Sequence, residues 1–309
     1  MITSVSLNPS IDRTMTVEGF SAGRLNRVLS SSDVAAGKGI NVALTVSGLG
    51  LDAECIGLMY RDSAPIFEKR LMMNSTAYEF VWCDGTARTN IKVLDKTSGE
   101  ITELNEMGRE VTSEQLNAVM ELLTRHAEDS DFLILSGSLP PGCPDDFYRT
   151  IINTVDGLGC HCVLDADGER MRYGLEAKPF MIKPNRFELE SMAGQSLTGI
   201  PEIRDAARKY IDMGVEVVAV SLGAHGAIIL RGDEALYAPQ LNIDVKSTVG
   251  AGDSMVAGLV AGFMGECSLE DTFRMGMACA TARCMTDGYR IIERTVYKAL
   301  MEMVTIERI

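Results

Sequence analysis

Residues 247–258 read STVGAGDSMVAG, in which a glycine turn is followed by one carboxylate and then by an apolar run that continues to residue 264. The run predicts a buried helix over 251–264, and Gly250 and Gly252 permit the backbone angles of a tight turn before it. A helix start presents unpaired N–H groups and the positive end of a dipole, which attract anions such as phosphate. Gly258 and Gly262, four residues apart, predict that the helix packs closely against a sheet.

The one carboxylate of this stretch, Asp253, lies in the first turn of the predicted helix. Beside a bound phosphate, such a carboxylate can orient a hydroxyl group and accept its proton. We therefore predict that Asp253 is a catalytic base and that the N–H groups of Gly250, Ala251 and Gly252 hold charge on a moving phosphoryl group. The alternative is an aspartate that only caps a helix. The stretch matches neither the GxxxxGK[ST] phosphate loop nor the dinucleotide fingerprint.

Elsewhere in the chain, short apolar runs alternate with amphipathic helical patterns. The predicted strands cover residues 2–7, 132–135, 162–164, 180–182, 215–220 and 227–230. The predicted helices cover residues 39–49, 113–127, 145–156, 186–193, 202–213, 251–264, 269–286 and 294–304. This alternation predicts an α/β fold with a mostly parallel sheet covered by helices.

Two segments interrupt the alternation. Residues 11–34 are polar without a helical period, and residues 88–105 indicate a hairpin around a turn at 96–99. Both segments are predicted to leave the sheet edge as a small β layer. The predicted core therefore comprises 1–10, 35–87 and 106–309, and 11–34 and 88–105 form a lid inserted in it.

The composition limits the classes of partner. A net charge of −14 and a pI of about 4.7 argue against nucleic acid and anionic membrane surfaces. The sequence has no apolar run long enough for a membrane span and no signal-peptide pattern at its start. Its eight cysteines form no CxxC pair and suit a reducing compartment, so we expect a cytoplasmic protein.

A second glycine-rich stretch, AAGKGINVA at 35–43, also leads into a predicted helix. Gly37 and Gly39 flank Lys38, and Asn41 lies in the first turns. An amide and the main-chain groups exposed by glycines suit a polyhydroxy ligand. Taken alone, the pattern is equally compatible with a turn before a helix.

Together, the two stretches resemble the paired signatures of the ribokinase-like sugar kinases, in the phosphofructokinase B branch. Four further family blocks occur in the expected order along the chain: SLNPSIDR at 6–13, SGSLPPG at 136–142, KPNRFE at 183–188 and SLGAHG at 221–226. The resemblance covers nearly the whole chain. It implies a ribokinase-like three-layer sandwich with a small β-sheet lid, a homodimer formed through that lid, and ATP and Mg²⁺ as cofactors. Two positions depart from the family pattern, Ala36 where glycine is frequent and Ser247 where aspartate is frequent.

The resemblance also implies roles for individual residues on the sugar side. Sugar hydroxyls would be bound by Asp12, Gly37, Gly39 and Asn41, and Lys38 would reach the transferring phosphate. The phosphate carried by the substrate would be bound by Arg88 and Arg24, with Arg27 as a competitor of Arg24 and Ser138 as a further donor. An arginine fork binds two phosphate oxygens at once. The alternative for each arginine is an exposed surface residue.

On the nucleotide side, the resemblance assigns the phosphates to Lys183 and Asn185, and Mg²⁺ to Glu188 and Asp165. Ser221, Gly223 and Thr248 would line the triphosphate path. A helix start is the alternative explanation of the KPNxxE block. Adenine contacts are expected in 276–288, without an assigned residue.

Within the family, RTNIKV at 88–93 and ITELN at 101–105 look most similar to the 1-phosphofructokinases. This implies fructose 1-phosphate as substrate, with tagatose-6-phosphate kinases and 6-phosphofructokinases as close alternatives. A non-catalytic phosphosugar sensor and, more remotely, a dehydrogenase of similar layering belong to different classes. The presence of Asp253 and the KPNxxE block favours the kinase, because a sensor needs no base.

Overall fold

The computed structural model describes residues 1–286 and 292–309, which form two β-sheets and a set of helices. In chain order, the strands are β1 (Ile2–Ser6), β2 (Ser10–Val17), β3 (Ser30–Ala36), β4 (Ala53–Tyr60), β5 (Ala77–Cys83), β6 (Arg88–Asp95), β7 (Ile101–Asn105), β8 (Phe132–Ser136), β9 (His161–Asp165), β10 (Met181–Ile182), β11 (Val217–Ser221), β12 (Ala227–Arg231), β13 (Glu234–Ala238) and β14 (Glu307–Arg308). The helices are α1 (Lys38–Leu49), α2 (Ala64–Met73), α3 (Ser113–Ala127), α4 (Phe147–Val155), α5 (Gly168–Glu176), α6 (Arg186–Ala193), α7 (Ile200–Asp212), α8 (Ala251–Met264), α9 (Leu269–Cys284) and α10 (Arg294–Met303).

The large sheet has the strand order β14-β13-β12-β11-β10-β9-β8-β1-β4-β5. Every pairing from β5 to β11 is parallel, and β12, β13 and β14 continue the sheet in antiparallel pairs. Strands such as β1 and β8 are buried along their whole length, which is typical of parallel sheets covered on both faces. The predicted mostly parallel sheet is confirmed.

Helices cover both faces of this sheet. Along β8, Leu133 and Leu135 belong to one apolar cluster together with α3, α4 and α7, whereas Phe132 and Ile134 belong to a second cluster together with α8, α9 and α10. The alternation follows from the two-residue period of a strand. The predicted three-layer sandwich is therefore confirmed. Among the described residues, no helix combines the length and the apolar composition that a membrane crossing needs.

Several elements of the large sheet and its helices were absent from the pattern-based prediction, among them β4, α2, β5 and α5. In β4 the apolar run is interrupted by Glu54 and Gly57, yet both are buried. The Glu54 carboxylate accepts hydrogen bonds from the Thr3 hydroxyl (2.7 Å) and contacts His126 Nδ1 (2.7 Å). Gly57 is required because a Cβ at this position would stand 2.2 Å from the Ser6 carbonyl oxygen.

The prediction that Gly258 and Gly262 pack against the sheet is wrong, because they pack against a helix. Both glycines of α8 face α9: a Cβ on Gly258 would lie 2.6 Å from the Met275 carbonyl oxygen, and one on Gly262 would lie 2.7 Å from Thr272. The glycines therefore allow two helices of the same layer to approach each other closely.

The small sheet has the order β3-β2-β6-β7 and contains the hairpin predicted within 88–105. Strands β2 and β3 form a second hairpin from the polar segment, and β2 pairs in parallel with β6 over 10–17 and 88–95. The predicted small β layer is confirmed. Its strands bring residues near the start of the chain next to residues about 80 positions later.

Candidate active site

A cavity of about 700 Å³ lies at the carboxyl ends of β9, β10 and β11 and is lined by residues of both sheets. Ligands of open α/β sheets bind at this edge. The cavity brings together most of the predicted site residues, namely Asp12, Gly37, Lys38, Asn41, Arg88, Asp165, Lys183, Asn185, Glu188, Ser221, Gly223, Thr248, Gly250, Ala251, Gly252 and Asp253. Arg24, Gly39 and Ser138 are not among its lining residues.

The glycine turn before α8 has the backbone geometry that its sequence predicts. Gly250 takes a left-handed conformation with φ of +79°, and α8 begins at the next residue. The Ala251 N–H group donates to the Thr248 carbonyl at 3.2 Å, so it is already used within the turn. The N–H groups of Gly252 and Asp253 follow in the first turn, where a helix offers no carbonyl acceptor. Of the three predicted N–H donors, Gly250, Ala251 and Gly252, the Ala251 group is therefore the one that the turn itself uses.

Asp253 is buried, with 6% of its surface exposed, and its carboxylate accepts a hydrogen bond from Asn41 Nδ2 at 2.8 Å. Burial raises the pKa of Asp253, because an ionised carboxylate loses hydration, and the Lys38 ammonium opposes that shift. A carboxylate with a raised pKa is better matched to removing a proton from an alcohol near neutral pH.

A carboxylate at the end of β9, Asp165, lies between two lysines. Asp165 Oδ1 is 3.3 Å from Lys183 Nζ, and Asp165 Oδ2 is 3.3 Å from Lys38 Nζ. Burial alone would raise the pKa of Asp165, but the two ammonium groups outweigh it and lower the pKa. Asp165 in turn raises the pKa of Lys38. This arrangement holds two cations in the cavity, and it is a poor environment for a further cation on Asp165.

The KPNxxE block contains a helix start as well as cavity residues. Asn185 Oδ1 accepts from the Glu188 N–H group at 2.9 Å, and Glu188 Oε2 accepts from the Asn185 N–H group at 2.8 Å, which is a capping box on α6. Both side chains also line the cavity. A Mg²⁺ ion that arrives on nucleotide phosphates keeps most of its water and needs few protein ligands. A single carboxylate such as Glu188, with one oxygen in the capping box, fits that requirement.

The small sheet also supplies polar residues to the cavity. Arg88 begins β6 and donates to the Glu106 carbonyl at 3.0 Å, and burial lowers its pKa. Asp12 is buried and accepts from Lys92 Nζ (2.8 Å) and Asn90 Nδ2 (3.1 Å). Lys92 was not predicted as a site residue. Its signal in the sequence is the spacing of 88, 90 and 92, which places these polar side chains on one face of β6.

Three predicted substrate residues lie elsewhere. Arg24 is exposed in the connection between β2 and β3. Gly39 is buried in α1 against β1, where a Cβ would stand 2.2 Å from the Val5 carbonyl oxygen, so its place is one of packing. Ser138 lines an adjoining cavity of about 190 Å³, which shares Lys38 and Arg88 with the main cavity.

Part of the cavity lining is apolar. Five of its apolar residues, here called the apolar slot, are Ile243, Val245, Met277, Ala280 and Cys284. An apolar surface in the same cavity as phosphate-binding groups suits a flat base such as adenine. Met277, Ala280 and Cys284 fall in the stretch 276–288 predicted to contact adenine, of which residues 287 and 288 lie outside the described residues. Ile243 and Val245 come from a loop that carries no motif.

Comparison with known proteins gives the chain a family. The model of the pfkB family of carbohydrate kinases matches residues 4–294. The chain belongs to the pfkB family of carbohydrate kinases. This membership confirms the predicted recognition and argues against the dehydrogenase. Together with full-length relatives named as 1-phosphofructokinases, it establishes a phosphosugar kinase in place of the sensor.

Individual relatives of this pfkB kinase match over almost their full length. It is 35% identical to a 1-phosphofructokinase of Rhodobacter capsulatus, over 99% of this chain and 97% of that protein. It is 32% identical to a 1-phosphofructokinase of Escherichia coli strain K12, over 99% of this chain and 98% of that protein. Among solved structures, phosphofructokinase-2 from Escherichia coli in complex with potassium superposes with a TM-score of 0.91 at 26% identity, covering 98% of each chain.

Proposed function

We propose that this pfkB kinase transfers the γ-phosphoryl group of ATP to the C6 hydroxyl of fructose 1-phosphate, forming fructose 1,6-bisphosphate and ADP. The observation that carries the proposal is the burial of Asp253 at the start of α8, in one cavity with Arg88, Lys38 and an apolar slot. The names of the full-length relatives support the choice of fructose 1-phosphate.

In this mechanism the substrate lies between the two walls of the cavity. Arg88 binds the 1-phosphate, and Asp12 with Asn41 binds ring hydroxyls. Asp253 accepts the C6 hydroxyl proton as that oxygen bonds to the γ-phosphorus, and the bond from the γ-phosphorus to the β,γ-bridging oxygen of ATP breaks. The N–H groups of Gly252 and Asp253 stabilise the charge on the moving phosphoryl oxygens. We also propose that Arg24 and Ser138 reach the substrate when the small sheet closes as a lid, which excludes competing water.

The nucleotide occupies the other half of the cavity in this proposal. The base enters the slot formed by Val245, Met277 and Cys284, and the triphosphate runs past Ser221, Gly223 and Thr248. Lys183, and Lys38 held by Asp165, balance phosphate charge. Mg²⁺ bound with ATP would neutralise the phosphates further, and Glu188 with Asn185 would hold the ion through water. We assign Asp165 to positioning the two lysines.

A substrate panel tests the choice of phosphosugar. We expect ADP release, measured with a coupled assay, to show kcat/KM for fructose 1-phosphate at least about tenfold above that for fructose 6-phosphate or tagatose 6-phosphate, which is about 1.4 kcal/mol in transition-state binding. Turnover of tagatose 6-phosphate without turnover of fructose 1-phosphate rejects the proposed substrate and leaves the kinase assignment intact.

Two further proposals concern the state of the protein. We propose a homodimer formed through the small sheet, whose strands β3 and β7 are open edges. We also propose a cytoplasmic location, which the eight free cysteines support, because unpaired thiols persist in a reducing compartment.

A further inference from the structure

A buried arginine from α9 supports the glycine turn from behind. Arg283 has 6% of its surface exposed, and its Nε donates to the Val249 carbonyl at 2.9 Å. Its Nη1 donates to Thr286 Oγ1 at 3.0 Å. A Cβ on Gly250 would stand 3.0 Å from Arg283 Nε, so the guanidinium packs directly against the turn.

The end of α9 holds the residues before the turn as well. The Cys284 carbonyl accepts hydrogen bonds from the N–H groups of Lys246 (2.8 Å) and Ser247 (3.2 Å). Residues 246 to 250 are therefore attached to residues 283 and 284 by several hydrogen bonds. The orientation of the Val249–Gly250 peptide, and with it the start of α8, depends on this attachment.

Arg283 does not line the cavity, whereas Gly250, Gly252 and Asp253 do. The guanidinium therefore contacts the turn directly and reaches the cavity only through it.

We propose that Arg283 is a positioning residue that fixes the glycine turn and, through that turn, the direction of the N–H groups that stabilise the transferred phosphoryl group. It contacts no substrate itself, and the inference rests on the proposed role of the Gly252 and Asp253 N–H groups. Donors fixed in this way contribute in the transition state more than in the ground state, because they are oriented toward the phosphoryl group in transfer.

The test compares three variants of the full chain with fructose 1-phosphate and ATP. Arg283→Met removes the charge and the fork, Arg283→Lys keeps the charge, and Arg274→Met is the control. Arg274 lies on the same helix, where it pairs with Glu270 and Asp271 near the surface. We expect Arg283→Met to lower kcat by about 10- to 100-fold with KM for the sugar within about threefold, and Arg274→Met to stay within twofold of wild type.

Chemical rescue separates the loss of the guanidinium hydrogen bonds to the turn from a general loss of structure. We expect guanidinium at tens of millimolar to restore at least about a third of the lost activity of Arg283→Met, with sodium chloride at equal ionic strength as control. We expect Arg283→Lys to keep at least about a tenth of the wild-type kcat. If Arg283→Met does not fold, as judged by its circular dichroism, the kcat and Tm of Arg283→Lys test the inference.

Two results overturn the inference. One is a folded Arg283→Met with wild-type kcat. The other is an Arg283→Lys variant with the wild-type Tm whose kcat has fallen more than about 100-fold. Wild-type protein without turnover of any phosphosugar would instead refute the proposed function, so the two failures are distinguishable.

Discussion

Asp253, the proposed base, carries a cost to the fold when it is ionised. Its pKa is raised by burial, so the ionised carboxylate is less stable in the folded chain than in the unfolded one. The stability that a carboxyl group of this kind contributes is complete below its unfolded pKa and is lost as pH rises through its folded pKa. Replacement by asparagine removes that loss and can keep the hydrogen bond from Asn41.

We therefore predict that Asp253→Asn lowers kcat by about 10²- to 10⁴-fold while fructose 1-phosphate still binds by calorimetry. Its Tm should equal that of wild type near pH 4 and exceed that of wild type near pH 7, because only the wild type carries the buried ionised carboxylate there. Thermal melts across this pH range measure the difference.

Asp95→Asn is the matched control, for which we expect a change in Tm of the opposite sign. The Asp95 carboxylate accepts hydrogen bonds from the backbone N–H groups of Thr97, Gly19 and Phe20, which lower its pKa. Its contribution is present above the unfolded pKa and is lost as pH falls, so Asp95→Asn should lower the Tm near pH 7 and leave kcat unchanged. For the variant at the proposed base, a Tm of Asp253→Asn below that of wild type at pH 7 contradicts the predicted gain in stability.

Among the residues correctly predicted to line the cavity, Asp253, Lys38 and Asn41 could be found from the local sequence alone, because a glycine turn and a helix start are visible there. Lys92 and Arg283 could not be predicted in this way. Lys92 donates to Asp12, which lies 80 positions earlier in the chain, and Arg283 donates to the Val249 carbonyl, which lies 34 positions earlier. Only tertiary structure brings such partners together.

Helices α8 and α9 show the same limit for packing partners. The apolar run of α8 predicts burial correctly, but the layer it contacts depends on where the chain returns after the turn. We predict that Gly258→Ala costs about 2–3 kcal/mol of unfolding free energy, because its Cβ would lie 2.6 Å from the Met275 carbonyl oxygen and would force the two helices apart. Urea unfolding followed by circular dichroism measures this cost.

The control for this prediction lies at the end of the same helix. A Cβ on Gly265 would stand 3.5 Å from its nearest neighbours, which is an ordinary contact, so Gly265→Ala should change the unfolding free energy by less than about 0.5 kcal/mol. Equal losses for the two variants would show that close approach of α8 to α9 does not set the cost.

Strand β4 depends on tertiary structure in the same way. Its buried Glu54 and Gly57 interrupt the apolar run, so the sequence pattern does not predict the strand.

The surface of the small sheet argues for association of two chains. Leu25, Ile101 and Leu104 expose 82%, 60% and 58% of their surface, and the sheet ends in the open edges of β3 and β7. Exposed apolar side chains and unpaired strand edges are both stabilised when a second copy covers them. Since the same sheet carries the cavity residues Asp12 and Arg88, we expect the rigidity of the sheet to matter for binding of the phosphosugar.

We predict that the wild type elutes as a dimer of twice 33.5 kDa by size-exclusion chromatography with light scattering. Ile101→Lys combined with Leu104→Lys should shift it to the monomer, because two desolvated lysines oppose association. KM for the phosphosugar should rise in that variant, since an uncovered sheet holds Asp12 and Arg88 less firmly.

The control changes two exposed methionines elsewhere, Met213 just after α7 and Met303 at the end of α10. The double variant Met213→Lys with Met303→Lys should remain dimeric with unchanged KM. A wild-type monomer at micromolar concentration, or a dimer that survives both lysines, rejects the small sheet as the interface.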